Sequence, residues 1–376
     1  MWERIKHMLI KEFIQIFRDP RMKGVIFLMP IIQLVVFGYA VTTDVKNIAT
    51  LIQDRDNSVA SRELVSRFVK SGYFDVVEYT DREDRTREML DRGSVGAVLR
   101  MNKGFEDDLR AGRTSQLQVI VDGTDSNTAG IVLGYSARIA GRFSEDLLTQ
   151  RILRSSGVLP RTGRVTVEGR AWFNENLESR NFYVPGVIAI IVMLITLMLT
   201  SMAVVREKEI GTMEQIMVTP ITSTEFILGK TVPFALIGFA DVVLITLIGV
   251  FWFEVPIRGS LVLLFVATAL YLLTTLAIGL LISTVSQTQQ QAMMSTFFFY
   301  FPAVLLSGFM FPIANMPVAV QWLTYLNPLR YFLVIIRGVF LKGVGPDVLW
   351  PQIFALAVMG LITLWLAARR FQKTLA

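Results

Sequence analysis

Along this chain, long stretches without a charged residue are joined by short polar connections, except in one region where apolar and polar residues alternate. Gly24 to Thr43 is uncharged for 20 residues and Asn181 to Val205 for 25, each enough for a helix to cross about 30 Å of hydrocarbon. Thr231 to Phe253 is a third stretch, broken by Asp241 alone, and from Gly259 to Leu329 no charge occurs. That run holds two spans, roughly 260–283 and 293–312, parted by the polar "STVSQTQQQ". A final span covers about 348–368 and ends at Arg369 and Arg370. The pattern predicts six transmembrane helices.

Residues 44–180 follow a different rule. "NIATLIQD", "FDVVEYT", "VGAVLRM" and "LQVIVDG" read as strands, with helical stretches "SVASRELVSRFVKSG", "DREDRTREMLDRG" and "KGFEDDLRAG" between them. A long helix from about Ser126 to Arg154 follows, and the chain returns through "VTVEGRAWF". The expected fold is an α-helical integral membrane protein with an α/β domain inserted between the first and second spans. The expected divisions are an interfacial helix at 1–23, a first span at 24–43, the α/β domain at 44–180, and a membrane domain at 181–376.

Charge supports this division. Hydrophobic residues make up 53% of the 376 and the mean hydropathy is +0.51, too apolar for an ordinary soluble chain. Lys and Arg number 6, 21 and 10 in residues 1–43, 44–180 and 181–376, against 3, 21 and 7 Asp and Glu. The inserted region is thus neutral, and the net +6 belongs to the membrane flanks. A nucleic-acid partner is not indicated. With the N-terminus inside, the short inside segments hold 12 basic residues and the short outside ones 4, which places both termini in the cytoplasm and the inserted domain outside. The basic N-terminus lacks a short apolar core with a cleavage site and reads as retained. There is no cysteine, so disulfide, thiolate and Cys-metal chemistry are excluded.

Two polar segments carry the candidate chemistry. Trp2, Ile5, Leu9, Phe13 and Ile16 recur at helical spacing, with Arg4, Lys6, Lys11 and Arg18 off that stripe and Pro20 at its end; such a helix lies in the membrane interface. The second segment is "VVREKEIGTMEQIMVTPIT", 204–222. Arg206 to Glu209 carry the second span into water and Gly211 breaks it. Thr212 with Gln215, then Thr222 with Glu225, are capping boxes, with Ile221 and Phe226 as a hydrophobic staple. Helix, kink, short helix ending at Pro220, kink, helix is the predicted order. It suits docking onto a partner; the plain alternative is a capped turn.

Other candidates are weaker. "TEFILGKT", 224–231, ends like a phosphate-binding loop, but Thr224 stands where its first glycine belongs and no strand precedes it. ATP hydrolysis is therefore expected on another polypeptide. Asp241 is a carboxylate in the middle of a span, by default a functional position; it could bind a cation or pair with Gln287 or a neighbouring chain, or simply pack. Phe297 to Phe301, with Tyr300, could line a route for apolar substrates or face lipid. Short helices are expected at about 313–342, around Pro312, Pro317, Asn327 and Pro328, with Arg330 and Arg337 anchoring to headgroups. "DGTDSNTAG", 122–130, reads as a strand-to-helix turn, not a cation loop. The lone histidine, His7, and the lack of a carboxylate cluster among the spans leave no catalytic or metal centre to name.

Three stretches in order resemble one family. "KEFIQIFRDPR" (11–21), "EIGTMEQIMVTPI" (209–221) and "LSGFMFPIANMPVAVQWLTYLNPLRYF" (306–332) are similar to the interfacial helix, the segment after span two and the segment between spans five and six of ABC-2-type transporter permeases. The likeness covers the whole chain, and the large inserted domain resembles the multidrug-exporter-like branch. It implies an export permease of the bacterial inner membrane with no cofactor of its own, ATP and Mg being held by a separate ATP-binding subunit. It also implies a second permease chain, alike or related; membrane lipid is a further expected partner, and the size of the outer domain suits docking of a periplasmic adaptor. Under it, 212–219 is a coupling helix within 206–222. Glu209, Gly211, Thr212 and Glu214 carry the motif, with Arg206, Glu207 and Pro220 flanking, and Lys11, Glu12, Arg18, Asp19 and Pro20 mark the interfacial helix. A ligand sensor or a membrane-bound enzyme are the competing readings; the first lacks an output domain and nothing points to the second.

Overall fold

The computed structural model describes residues 2–40, 45, 47–156, 172–174, 178–212 and 222–370. The chain separates into two compact units, Met1–Thr42 with Arg170–Ala376, and Thr43–Gly169. The first unit opens with α1 (Trp2–Arg18), α2 (Pro20–Lys23), a π-helical turn at Gly24–Leu28 and α3 (Met29–Ala40). Pro20 does not simply stop the first helix. It starts the second after a break at Asp19, where its missing N–H costs nothing. Burial on α1 follows Ile5, Met8, Glu12 and Ile16, while Ile10, Ile14 and Phe17 are exposed on the other side.

The Thr43–Gly169 unit runs β1 (Ile48–Asp54), α4 (Val59–Lys70), β2 (Phe74–Tyr79), α5 (Glu83–Asp91), β3 (Ala97–Met101), α6 (Phe105–Arg110), β4 (Leu117–Val121) and α7 (Ser126–Ser156). The sheet order is β2-β1-β3-β4. β1 lies parallel to both β2 and β3, and β4 returns antiparallel to β3. Ile52, Leu99, Met101, Phe68, Phe74 and Phe143 form the core on one face, and Leu51, Met89 and Val98 a smaller one on the other. Asp56 fastens α6. Its carboxylate accepts from the backbone N–H groups of Gly104 at 2.7 Å and of Phe105 and Glu106 at 3.1 Å. Burial pushes the Asp56 carboxyl up, but hydrogen bonds with Ser58 and these three amides outweigh it and hold it below its usual value. The return segment "VTVEGRAWF" lies outside the described residues but for its last two.

The helical unit continues with α8 (Ser179–Ile210), α9 (Ser223–Phe251), α10 (Leu261–Val285), α11 (Gln289–Leu305), α12 (Val318–Thr324), α13 (Pro328–Arg337) and α14 (Pro346–Arg370). Four of these, α8, α9, α10 and α14, are long and apolar enough to cross a membrane, and Gly24–Tyr39 is a shorter apolar helix. α8 is the central post, packed against α3, α9, α10, α11 and α13. Its seam with α10 and α11 is close and hydroxyl-bonded. Thr196 Oγ1 donates to Thr275 Oγ1 at 3.0 Å and Thr296 Oγ1 to Ser201 Oγ at 2.8 Å. A Cβ on Gly279 would lie 2.8 Å from Thr200 Cβ, the small-residue contact by which helices approach without a hydrophobic driving force.

One boundary follows expectation and two features differ from it. α9 begins at Ser223, ahead of the uncharged run from Thr231, where the Thr222–Glu225 capping box is expected to start it: Glu225 N–H donates to Thr222 Oγ1, and Thr222 N–H to Glu225 Oε2. α11 ends at Leu305, short of 312, as Pro302 and the left-handed Gly308 turn the chain. Arg330 and Arg337 do not share one anchoring role. Arg330 stacks 3.9 Å over Tyr325, whereas Arg337 turns inward, 3.7 Å over Phe182 and within 3.5 Å of the Gly308 carbonyl.

Candidate functional site

Three helices bring ionic side chains together at one end of the bundle. Lys230, on the second turn of α9, is 2% exposed; Glu12 on α1 and Glu207 near the end of α8 are each 4% exposed. Lys230 Nζ lies 2.6 Å from Glu12 Oε1 and 2.7 Å from Glu207 Oε1. The first contact is an ion pair without hydrogen-bond alignment; the second is a hydrogen bond. Lys11 Nζ reaches Glu207 Oε1 at 3.0 Å and Glu12 Oε1 at 3.9 Å. Thr212 Oγ1 donates to the other Glu207 oxygen. Two carboxylates facing two ammonium groups make the cluster neutral, the condition on which charges tolerate such burial.

The neighbours of this node reinforce it. Met8 of α1 packs directly on Gly229, where a Cβ would meet its sulfur at 2.6 Å. Arg4 lies 3.7 Å from Glu225, the residue that also caps α9. Glu209 accepts from Gln289 Nε2 at 2.5 Å, tying the end of α8 to the start of α11. Gly211 ends α8 at φ +81°, a left-handed conformation that glycine adopts without steric cost.

Glu207 therefore does not carry α8 into water as its sequence setting suggests. Lys230, Lys11 and Thr212 hold it inside the bundle. Thr212 is spent on Glu207, through both its backbone carbonyl at 3.3 Å and its side chain. The helix expected at 212–219 falls on residues 213–221, which lie outside the described residues together with Glu214, Gln215, Pro220 and Ile221. Both flanks of that segment, Thr212 and Thr222, are fixed by the bonds just given.

The remaining candidates are dispersed. Arg206 lines a cavity beside the node. Arg18 ends α1 and Asp19 separates it from α2. Asp241 is fully buried and neither carboxylate oxygen has a hydrogen-bond partner among the described residues. Gln287 does not pair with it: Gln287 is exposed and its N–H bonds Gln291 Oε1 at 2.8 Å. Phe297 stacks on Phe301 at 5.9 Å, and Phe298 and Phe301 are exposed, with Tyr300 half-buried. Among the described residues no group of three His, Cys, Asp or Glu is placed to hold a metal. Sequence reasoning missed Lys230 as a site residue. Its signal was present: a lone cation within an apolar helix, one connection away from an acid at the end of another.

Long apolar helices around a central post, with an amphipathic helix bolted by buried charges to the ends of two of them, define a multi-span integral membrane protein. Residues 24–369 match the family described as ABC-2 family transporter protein. The probable multidrug ABC transporter permease YbhR of Escherichia coli (strain K12) is 33% identical over 359 residues, 96% of this chain and 95% of its own length. YbhS of the same strain, also a probable multidrug ABC transporter permease, is 34% identical over 374 residues, covering 98% and 97%. The inner membrane transport permease YhhJ is 29% identical over 343 residues, covering 89% and 88%. The chain belongs to the ABC-2 transporter family, whose members named here are transport permeases.

Proposed function

We propose that this chain is the permease subunit of an ATP-driven exporter that moves an amphipathic substrate, a drug or organic cation, out of the cytoplasm. It crosses the bacterial inner membrane six times with both termini in the cytoplasm and the α/β unit outside. Two such chains, alike or related, form the pathway; a separate subunit binds ATP and Mg. The names of the relatives support the transport class and the drug-like substrate. The observation that carries the coupling mechanism is the Lys230 node.

The node converts a push on a short connection into movement of helices. The segment 213–221 is anchored at Thr212 to Glu207 and at Thr222 to Glu225, and both acids are bonded onward to α1 or α9. Displacing the segment must therefore displace α1, α8 and α9 together. A nucleotide-dependent contact there biases the bundle between two states, because it differs between them. Asp241 supplies a buried carboxyl that a cationic substrate entering the bundle interior would engage, and the outer unit offers the surface for an adaptor.

The test is purification of the tagged chain in mild detergent from its native membranes, alongside Glu214→Arg. Co-purification of an ATP-binding subunit with the parent chain, and its loss from the variant with the permease still folded, is the expected result. Recovery of the chain without ATPase activity in either form would count against the reading.

A further inference from the structure

Beside the Lys230 node lies a cavity of about 480 Å³, within the range of small-ligand sites. Its walls have two characters. Met198, Leu199, Met202 and Ala203 of α8, Phe234 of α9, and Met22 and Val25 ahead of α3 are apolar. Arg206, Gln15 and Gln289 are polar, as is the Glu12–Lys230 pair. That pair is self-neutralised at 2.6 Å, and Asp19 on the rim is engaged already. Arg206 is half-buried and makes no ion pair or hydrogen bond among the described residues. It is the open charge of the cavity.

Depth fixes what can reach it. Arg206 is the first charge after the 25 uncharged residues of 181–205, and Lys23 is the last before the uncharged 24–43. A cavity bracketed by these positions sits at the edge of the hydrocarbon, where headgroups lie. Methionines at three of its apolar positions suit a flexible chain of variable shape. We infer that this cavity binds an anionic phospholipid of the adjoining leaflet, its phosphate against Arg206 and the Gln15 amide, and one acyl chain along Met198, Met202 and Phe234. Basic pockets between membrane helices take such headgroups elsewhere. Because Glu12 and Lys230 are shared with the node, bound lipid also holds α1 against α8. The inference does not depend on what the complex transports.

The test uses the purified full-length chain and phosphatidylglycerol bearing a photoreactive acyl chain, with peptide mapping of the adducts. Saturable labelling within 198–206 and at Phe234 is expected, diacylglycerol of the same chains, which lacks the phosphate, labelling these positions about tenfold less, the equivalent of one charge-assisted hydrogen bond. Arg206→Ala should reduce the phosphatidylglycerol labelling to that level and Arg206→Lys should restore most of it. Met202→Trp, which fills the cavity without touching the charge, should abolish labelling there. Equal labelling by both lipids, displacement by inorganic phosphate alone, or adducts confined to the exposed Phe298 face and indifferent to both substitutions would each overturn the assignment.

Discussion

Lys230 is the residue on which the inner arrangement turns, because it faces two carboxylates from two other helices while being almost inaccessible to solvent. Removing one member of such a cluster leaves the others buried without compensation, which costs about 3–5 kcal/mol. Lys230→Met should therefore lower the unfolding temperature of the purified chain sharply. Adding Glu12→Gln and Glu207→Gln to the same variant should recover most of the loss, since the uncompensated charge disappears. An unfolding temperature indifferent to Lys230→Met would mean that water or Lys11 alone satisfies both acids. The contrast with Asp241 is instructive at this scale. Both are ionisable residues within apolar helices, yet Lys230 has two carboxylates within 4 Å and the Asp241 carboxyl has no partner among the described residues. Sequence spacing flagged Asp241 readily, because it interrupts an uncharged run. It did not flag Lys230, whose partners are 23 and 218 positions away and so invisible to any local pattern.

Whole elements were more legible than their contacts. The short Val-rich apolar runs in "LQVIVDG" and "VGAVLRM" marked β4 and β3 as strands, although β3 is buried on both faces instead of alternating, and the Thr222–Glu225 box marked the start of α9 by local chemistry alone. The end of α11 was misplaced because an uncharged run continues past Leu305, and hydropathy alone does not register a turn made by Pro302 and Gly308. The buried stripe of α1 was also rotated from the apolar one: Glu12 turns inward to Lys230, while Ile14 is left exposed. Capping gives an element-scale prediction. Asp56 closes α6 with three amide hydrogen bonds, and its carboxyl is held below its ordinary value. Stability from a lowered carboxyl is full above the unfolded value near 3.9 and is lost as pH falls through the folded one. Hydrogen exchange at Gly104, Phe105 and Glu106, corrected for intrinsic rates, should stay slow at pH values where a free aspartate is already half protonated and quicken only below them. Asp56→Asn should weaken the protection at neutral pH by about 1 kcal/mol. Equal protection in parent and variant would assign the order of α6 to its packing instead.

At the scale of the molecule, coupling depends on which side of the membrane each end of the bundle faces. A node buried at one end of the bundle can couple to an ATP-binding partner only if that end is cytoplasmic, which the excess of Lys and Arg in the short segments at 1–23, 206–230 and 369–376 supports. The proposed topology assigns the α/β unit, which follows the first span and precedes the second, to the periplasm. The chain contains no cysteine, so single cysteines can be introduced without background. Lys6 and Gln290 are exposed near the node end, and Lys103 is exposed on the α/β unit. In intact cells a membrane-impermeant maleimide with access to the periplasm should label Lys103→Cys and leave Lys6→Cys and Gln290→Cys unlabelled until the inner membrane is permeabilised. Labelling of Gln290→Cys together with Lys103→Cys would reduce the number of crossings between them by one and end the six-span topology. Labelling of Lys6→Cys and Gln290→Cys but not Lys103→Cys would invert the molecule. The Lys230 node would then face away from any cytoplasmic ATPase, and the coupling mechanism would fail with it, whatever the chain transports.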